Sequence, residues 1–244
     1  TWEFPPRIIG GISTHVYELS RALVRKDVSV HVLTCGFPNA PSEEVTDGVQ
    51  VSRVACDRFP ETNFFLWTYD LNRLMIERGS QVLEGDSFNL IHAHDWIVAK
   101  AALELKNRSA LPLITTIHAT EAGRSNLNGT QNGYQKSIHD IEDFLMHHSE
   151  QVICCSNYMR EHVQENFNLP SDKVDVISNA IDASRFNQPS TPLKANNGNV
   201  ILFVGRLVRE KGLNILLDAF EKLPREGAAK LVLVGNGPLK DDLI

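Results

Sequence analysis

Arg206 and Lys211 frame the stretch Gly205-Arg206-Leu207-Val208-Arg209-Glu210-Lys211-Gly212, which follows the apolar run Val200–Val204. A guanidinium grips phosphate oxygens two at a time, and an ammonium adds a mobile point charge. Such a pair suits a diphosphate whose charge grows as it leaves. Read blandly, the same stretch is a solvated charged loop, because Arg209 and Glu210 lie within it. Far upstream, Gly10-Gly11 stands at the start of a helical pattern. There the backbone can approach a ligand closely and offer N–H groups and a helix N-terminus to an anion, or simply turn.

Two polar clusters lie between these turns. His92-Ala93-His94-Asp95-Trp96 ends one apolar run, and Thr115-Thr116-Ile117-His118-Ala119-Thr120-Glu121 ends another. Strand alternation puts His92 and His94 on one side. A metal reading of that pair lacks a convincing set of complementary ligands at other strand ends, so no metal is expected. Asp95 reads instead as a recognition group lining a cleft. His118 is either an active-site residue or a hydrogen-bonded strand end. Residues 123–133, with Arg124, Asn126, Asn128 and Gly129, read as a long mobile loop over that site. Gly235-Asn236-Gly237-Pro238 is a further glycine turn, and it does not complete a dinucleotide fingerprint.

The elements that must position these groups alternate along the chain. Strands are expected at 28–34, 49–54, 90–93, 113–117, 152–155, 174–177, 200–204 and 231–234, several continuously apolar as parallel strands buried on both faces are. Helices are expected along the Ile12, Val16, Leu19, Leu23 stripe and at 65–83, 97–105, 135–147 and 213–223, with Ser156 capping another. This is an α/β protein of doubly wound sheets, in which ligands sit at the carboxyl ends of strands. Loop chemistry at Gln188-Pro189-Ser190-Thr191-Pro192 and Asn196-Asn197-Gly198 divides it. The expected parts are an N-terminal Rossmann-like domain at 1–183, a linker at 184–198 and the beginning of a second Rossmann-like domain at 199–244.

Composition narrows the function. The 244 residues are 42% hydrophobic and 22% charged, with a net charge of −6. That gives nucleic-acid binding no global electrostatic support. No apolar run approaches the ~18 residues of a membrane span, and no signal-peptide layout is visible. The four cysteines lack metal-ligand spacing, so a reducing cytoplasm is expected. The chain starts in loop composition at Thr1-Trp2-Glu3-Phe4-Pro5-Pro6 and stops within a helical pattern, which reads as a fragment.

Taken in order, Trp2-Glu3-Phe4-Pro5-Pro6 with Gly10-Gly11, His92-Ala93-His94-Asp95-Trp96, Thr116-Ile117-His118-Ala119-Thr120-Glu121, Ser178-Asn179-Ala180-Ile181-Asp182 and Gly205-Arg206 with Lys211-Gly212 resemble the retaining GT-B glycosyltransferases of the glycogen and starch synthase-like group. The resemblance implies transfer of a hexose, glucose first, from ADP- or UDP-glucose to an α-glucan or related acceptor with retention of configuration. It implies that Gly10 and Gly11 approach the donor phosphates, that Asp95 and His118 contact the transferred sugar, and that Gly205, Arg206 and Lys211 hold the diphosphate without an obligatory metal or other cofactor. His94, Glu121 and Arg124 are then acceptor-side or loop candidates. Ile8, Ile97 and Ala119 replace the Lys, His and Asn of many bacterial glycogen synthases and point toward the archaeal-type branch. The family's paired glutamates are expected beyond Ile244 and its first strand before Thr1, so the chain by itself is expected to be inactive. Two other classes remain open, a GT-B sugar-nucleotide epimerase and a non-catalytic sugar- or nucleotide-binding piece.

Overall fold

A computed structural model describes residues 1–56, 63–125, 133–186, 199–224 and 229–243. The chain divides into two compact units, Thr1–Asp182 and Ala183–Ile244. The expected linker falls outside the described residues from position 187 onward, as does most of the expected loop, at 126–132.

The first unit begins with helix α1 (Gly11–Val24), followed by strands β1 (His31–Cys35), β2 (Glu43–Thr46) and β3 (Val49–Val54). β3 runs parallel to β1 and antiparallel to β2. Helix α2 (Phe64–Gly85) leads to β4 (Ile91–His94), α3 (Ala99–Ser109), β5 (Leu113–Ile117), α4 (Glu121–Ser125), α5 (Gly133–His148), β6 (Gln151–Cys154), α6 (Asn157–Phe167) and β7 (Val174–Val176). The last four strands form one parallel sheet in the order β4-β5-β6-β7, with Ala93 opposite Thr115 and Thr116 opposite Ile153. β1 and β4 are the end strands of their sheets. A groove of about 560 Å³ is lined by Val32 and Leu33 of β1 and by His92 and His94 of β4.

Leu71, Met75, Ala101, Ala102, Leu113 and Leu145 belong to the largest buried cluster, and Ile117, Met146, Val152, Val163 and Phe167 to a second. Burying such side chains contributes about 1.5–3 kcal/mol each, which is what presses the helices onto the sheet. The expected cap is made, Ser156 Oγ accepting the Met159 N–H at 3.1 Å, and Asn63 Oδ1 caps α2 in the same way by accepting the Leu66 N–H at 3.1 Å. Buried Asn72 on α2 donates to the Ile97 carbonyl at 2.7 Å and accepts the Ala101 N–H at 2.7 Å. It therefore clamps the chain just after Asp95 onto a helix residue 25 to 29 positions upstream, where no local pattern would reveal it.

The second unit contains β8 (Val200–Val204), α7 (Leu213–Glu221) and β9 (Lys230–Val234), with the strands parallel. Continuous apolarity of β8 predicts burial on both faces. Instead Val200, Leu202 and Val204 are 61%, 60% and 69% exposed. Among the described residues a single α-helix accompanies the two strands, which is too little to cover both sides of the sheet. No helix among the described residues is long and apolar enough to cross a membrane.

Candidate active site

The polar clusters of the first unit meet at the carboxyl ends of β4 and β5. Asp95 is 2% exposed and takes a positive φ of 58° immediately after β4. Its Oδ1 accepts the backbone N–H of His118 at 2.7 Å. Burial pushes its carboxyl up to about 6, against the pull of the His118 N–H, Arg124 and the Ala119 N–H. Arg124 on α4 lies 3.9 Å from Asp95 Oδ2 and 3.8 Å from Glu121 Oε2, so it neutralises both loosely.

His92 and His94 do project together, their rings stacked at 4.4 Å. His94 is not a loop residue but a buried strand residue, and its Nδ1 lies 3.2 Å from His118 Nε2. His92 Nε2 is 2.8 Å from Thr116 Oγ1. His15, on α1, joins them with its ring centroid 4.7 Å from that of His118 and 5.4 Å from that of His94. Burial holds His15, His92 and His118 down at about 4 and His94 well below the usual imidazole range. At neutral pH these are four uncharged rings that donate and accept hydrogen bonds.

Glu121 opens α4, and residues 121–125 form a helix, not the loop expected from sequence. Its backbone N–H reaches both oxygens of buried Glu142, at 2.9 and 3.1 Å. Burial pushes the Glu142 carboxyl up to about 8. The glycine turn needs a second correction. The N–H groups of Ile9 and Gly10 both donate to Glu3 Oε2, at 2.7 and 2.8 Å, so the donor expected to face an anion at Gly10 is already taken by a buried carboxylate. Gly11 is exposed, and a Cβ there would meet open space.

Sequence reasoning passed over His15, Glu3 and Glu142. Two of them carried a signal. His15 falls three residues after Ile12 on the apolar face of α1, and Glu142 lies between Ile138 and Leu145 on that of α5. A charged or polar residue on a buried face demands a partner. Glu3, in an irregular segment, gave no such signal.

In the second unit, Gly205 closes β8 and donates its N–H to the Val234 carbonyl at 3.0 Å. Arg206 and Lys211 are exposed, Lys211 ending a 3-10 turn before Gly212, whose φ is +66°. The later glycine turn has a structural purpose that its sequence did not disclose. A Cβ on Gly235 would stand 1.8 Å from the Gly205 carbonyl oxygen, and one on Gly237 would stand 2.4 Å from that of Leu207. The Leu207 N–H bonds the Asn236 carbonyl at 2.9 Å. The two loops thus stack backbone on backbone.

Comparison with known proteins extends this arrangement. An uncharacterized glycosyltransferase of Methanocaldococcus jannaschii is 36% identical over 253 residues, covering all of this chain and 63% of that protein. A glycogen synthase of Mycobacterium tuberculosis is 35% identical over 260 residues, covering all of this chain and 62% of that protein. The chain therefore spans somewhat less than two thirds of these relatives. Among solved structures, a sucrose-phosphate synthase from Thermosynechococcus elongatus superposes with a TM-score of 0.72 at 18% identity, over 96% of this chain and 58% of its own. Anabaena HepE in complex with UDP-glucose gives 0.63 at 15% identity, over 93% and 58%. Both likenesses speak to the GT-B fold. The sequence profile of Glycosyl transferases group 1 matches residues 184–244, and that of Glycosyltransferase Family 4 matches residues 9–185; the chain belongs to glycosyltransferase family 4.

Proposed function

We propose that the protein to which this chain belongs transfers glucose or a related hexose from a nucleoside-diphosphate sugar, ADP- or UDP-glucose, to an α-glucan or related acceptor with retention of configuration. The observation that carries this reading is the pairing of Asp95 with the His118 main chain across the ends of β4 and β5, with the His118 ring in a cluster of neutral imidazoles. Neutral rings and a buried carboxylate suit hydrogen bonding to sugar hydroxyls. Neither needs to act as a nucleophile. Support comes from the glycogen synthase relative and from the fold neighbour that holds UDP-glucose.

In this reading Gly11 gives the donor close access to the start of α1. Arg206 and Lys211 offset the charge that builds on the departing diphosphate, which removes the need for a metal ion. The acceptor hydroxyl attacks from the face the diphosphate leaves, and a donor phosphate oxygen takes its proton. Asp95 and His118 hold the sugar while this happens.

The test is to incubate the full-length protein with labelled ADP-glucose and UDP-glucose, with and without glycogen or maltooligosaccharides. Release of nucleoside diphosphate with α-linked extension of the acceptor is expected. A changed sugar with no acceptor extension would move the assignment to an epimerase. Binding without turnover would leave a recognition module. The isolated 244-residue chain, spanning 62% of the glycogen synthase it resembles, is expected to show little or no turnover.

A further inference from the structure

Three imidazoles from three separate elements bring one nitrogen each close together. His15 comes from α1, His94 from β4 and His118 from the turn after β5, and these nitrogens all lie within 4.8 Å of one another. One pair, His94 Nδ1 and His118 Nε2, is 3.2 Å apart. Two ligands bonded at about 2.0–2.1 Å to a tetrahedral zinc ion stand about 3.3–3.4 Å apart. That pair is therefore already at ligand spacing. His15 has to swing inward by about 1–1.5 Å to reach the same geometry.

One ring is also supported from behind. Metal-binding imidazoles are oriented by a partner on the nitrogen that does not bind the ion. His118 Nδ1 has Cys155 Sγ at 3.6 Å, and the buried Nε2 of His15 has no hydrogen-bond partner among the described residues. His92 does not join the set, because its Nε2 is engaged by Thr116. Asp95 and Glu121 supply negative charge nearby, partly offset by Arg124.

We propose that His15, His94 and His118 form a three-histidine site for a divalent transition-metal ion of the zinc class, with its fourth position open. Such an ion is not a catalyst here. It occupies the space beside His118 and so blocks sugar entry. That consequence rests on the transferase reading; binding of the ion does not.

The test therefore uses the 244-residue chain and needs no activity. Titration with Co²⁺ is expected to give one equivalent of bound ion with the intense visible bands of a four-coordinate site, displaced by one equivalent of Zn²⁺. His94→Gln and His118→Ala should each weaken Zn²⁺ binding at least tenfold, measured by competition with a chromophoric chelator. A His147→Ala/His148→Ala variant, at the exposed end of α5, should bind as the parent does. A weak six-coordinate spectrum in the parent chain overturns the proposal, whatever the variants do. So does Zn²⁺ affinity that survives loss of His118 or disappears with His147 and His148.

Discussion

Asp95 Oδ1 accepts the His118 backbone N–H at 2.7 Å, so a side chain after one strand fixes the main chain after the next. Asp95 also bears a φ of 58° with a ψ of 176°, a backbone region nearly confined to glycine, at a cost of about 1–3 kcal/mol. Asp95→Ala leaves a donor without its acceptor, in a backbone shape alanine resists. We expect a loss of about 1–3 kcal/mol or more in urea unfolding. Asp95→Asn keeps an oxygen in place and should retain most of the stability, while sugar transfer by the full-length protein falls.

Glu142 provides a pH signature. The native protein keeps its proton up to about 8, whereas the unfolded chain releases it near 4.5. Its contribution to stability is therefore complete below 4.5 and lost as pH rises through 8. His15, His92 and His118 act oppositely, contributing above 6.5 and losing it as pH falls through 4. The difference between parent and Glu142→Gln cancels these. Between pH 6.5 and 8 that difference should shift against the parent by up to about 1.4 kcal/mol per pH unit. A flat difference in urea midpoints would contradict the assignment.

The two glycines of the first turn separate structure from chemistry. A Cβ on Gly10 would lie 3.3 Å from Glu3 Oε1, whereas one on Gly11 meets nothing within 4 Å. Gly10→Ala should therefore lower thermal stability, and Gly11→Ala should leave it within about 0.5 kcal/mol. In the full-length protein, Gly11→Ala should nevertheless raise the donor KM. Equal KM values would remove Gly11 from the donor site.

Arg206→Ala in the full-length protein tests the phosphate clamp. Losing a charge-assisted contact made in the transition state should cost about 2–4 kcal/mol in kcat/KM. Arg206 is exposed, so folding should be unaffected. An effect below tenfold on transfer would take the diphosphate role away from it.

Strong periodicity made most of the fold legible from sequence. The strands at Val49–Val54, Leu113–Ile117 and Val200–Val204 begin and end where their apolar runs do. β2 was not legible because it is an antiparallel edge whose Val45 faces outward, 71% exposed, so no buried run marks it. α4 was missed for a different reason. Its five residues include one apolar side chain, Ala122, and so show no periodicity, and the carboxyl group capping its start comes from Glu142, twenty-one positions away. Asp95 and His118 could be read as site residues because they directly follow buried strands. The contact between them, and the groups behind them, are products of tertiary packing.

The stacking of Gly235 on Gly205 carries one more consequence. Where two main chains touch with no room for a methyl group, the height of the Arg206 loop is set by the thickness of bare backbone. A saturation scan for donor affinity should then rank Gly235 and Gly237, which have no side chain to offer a ligand, beside the arginine itself. Directed changes in donor preference would be sought at positions that touch neither loop, because these two leave no intermediate settings to select.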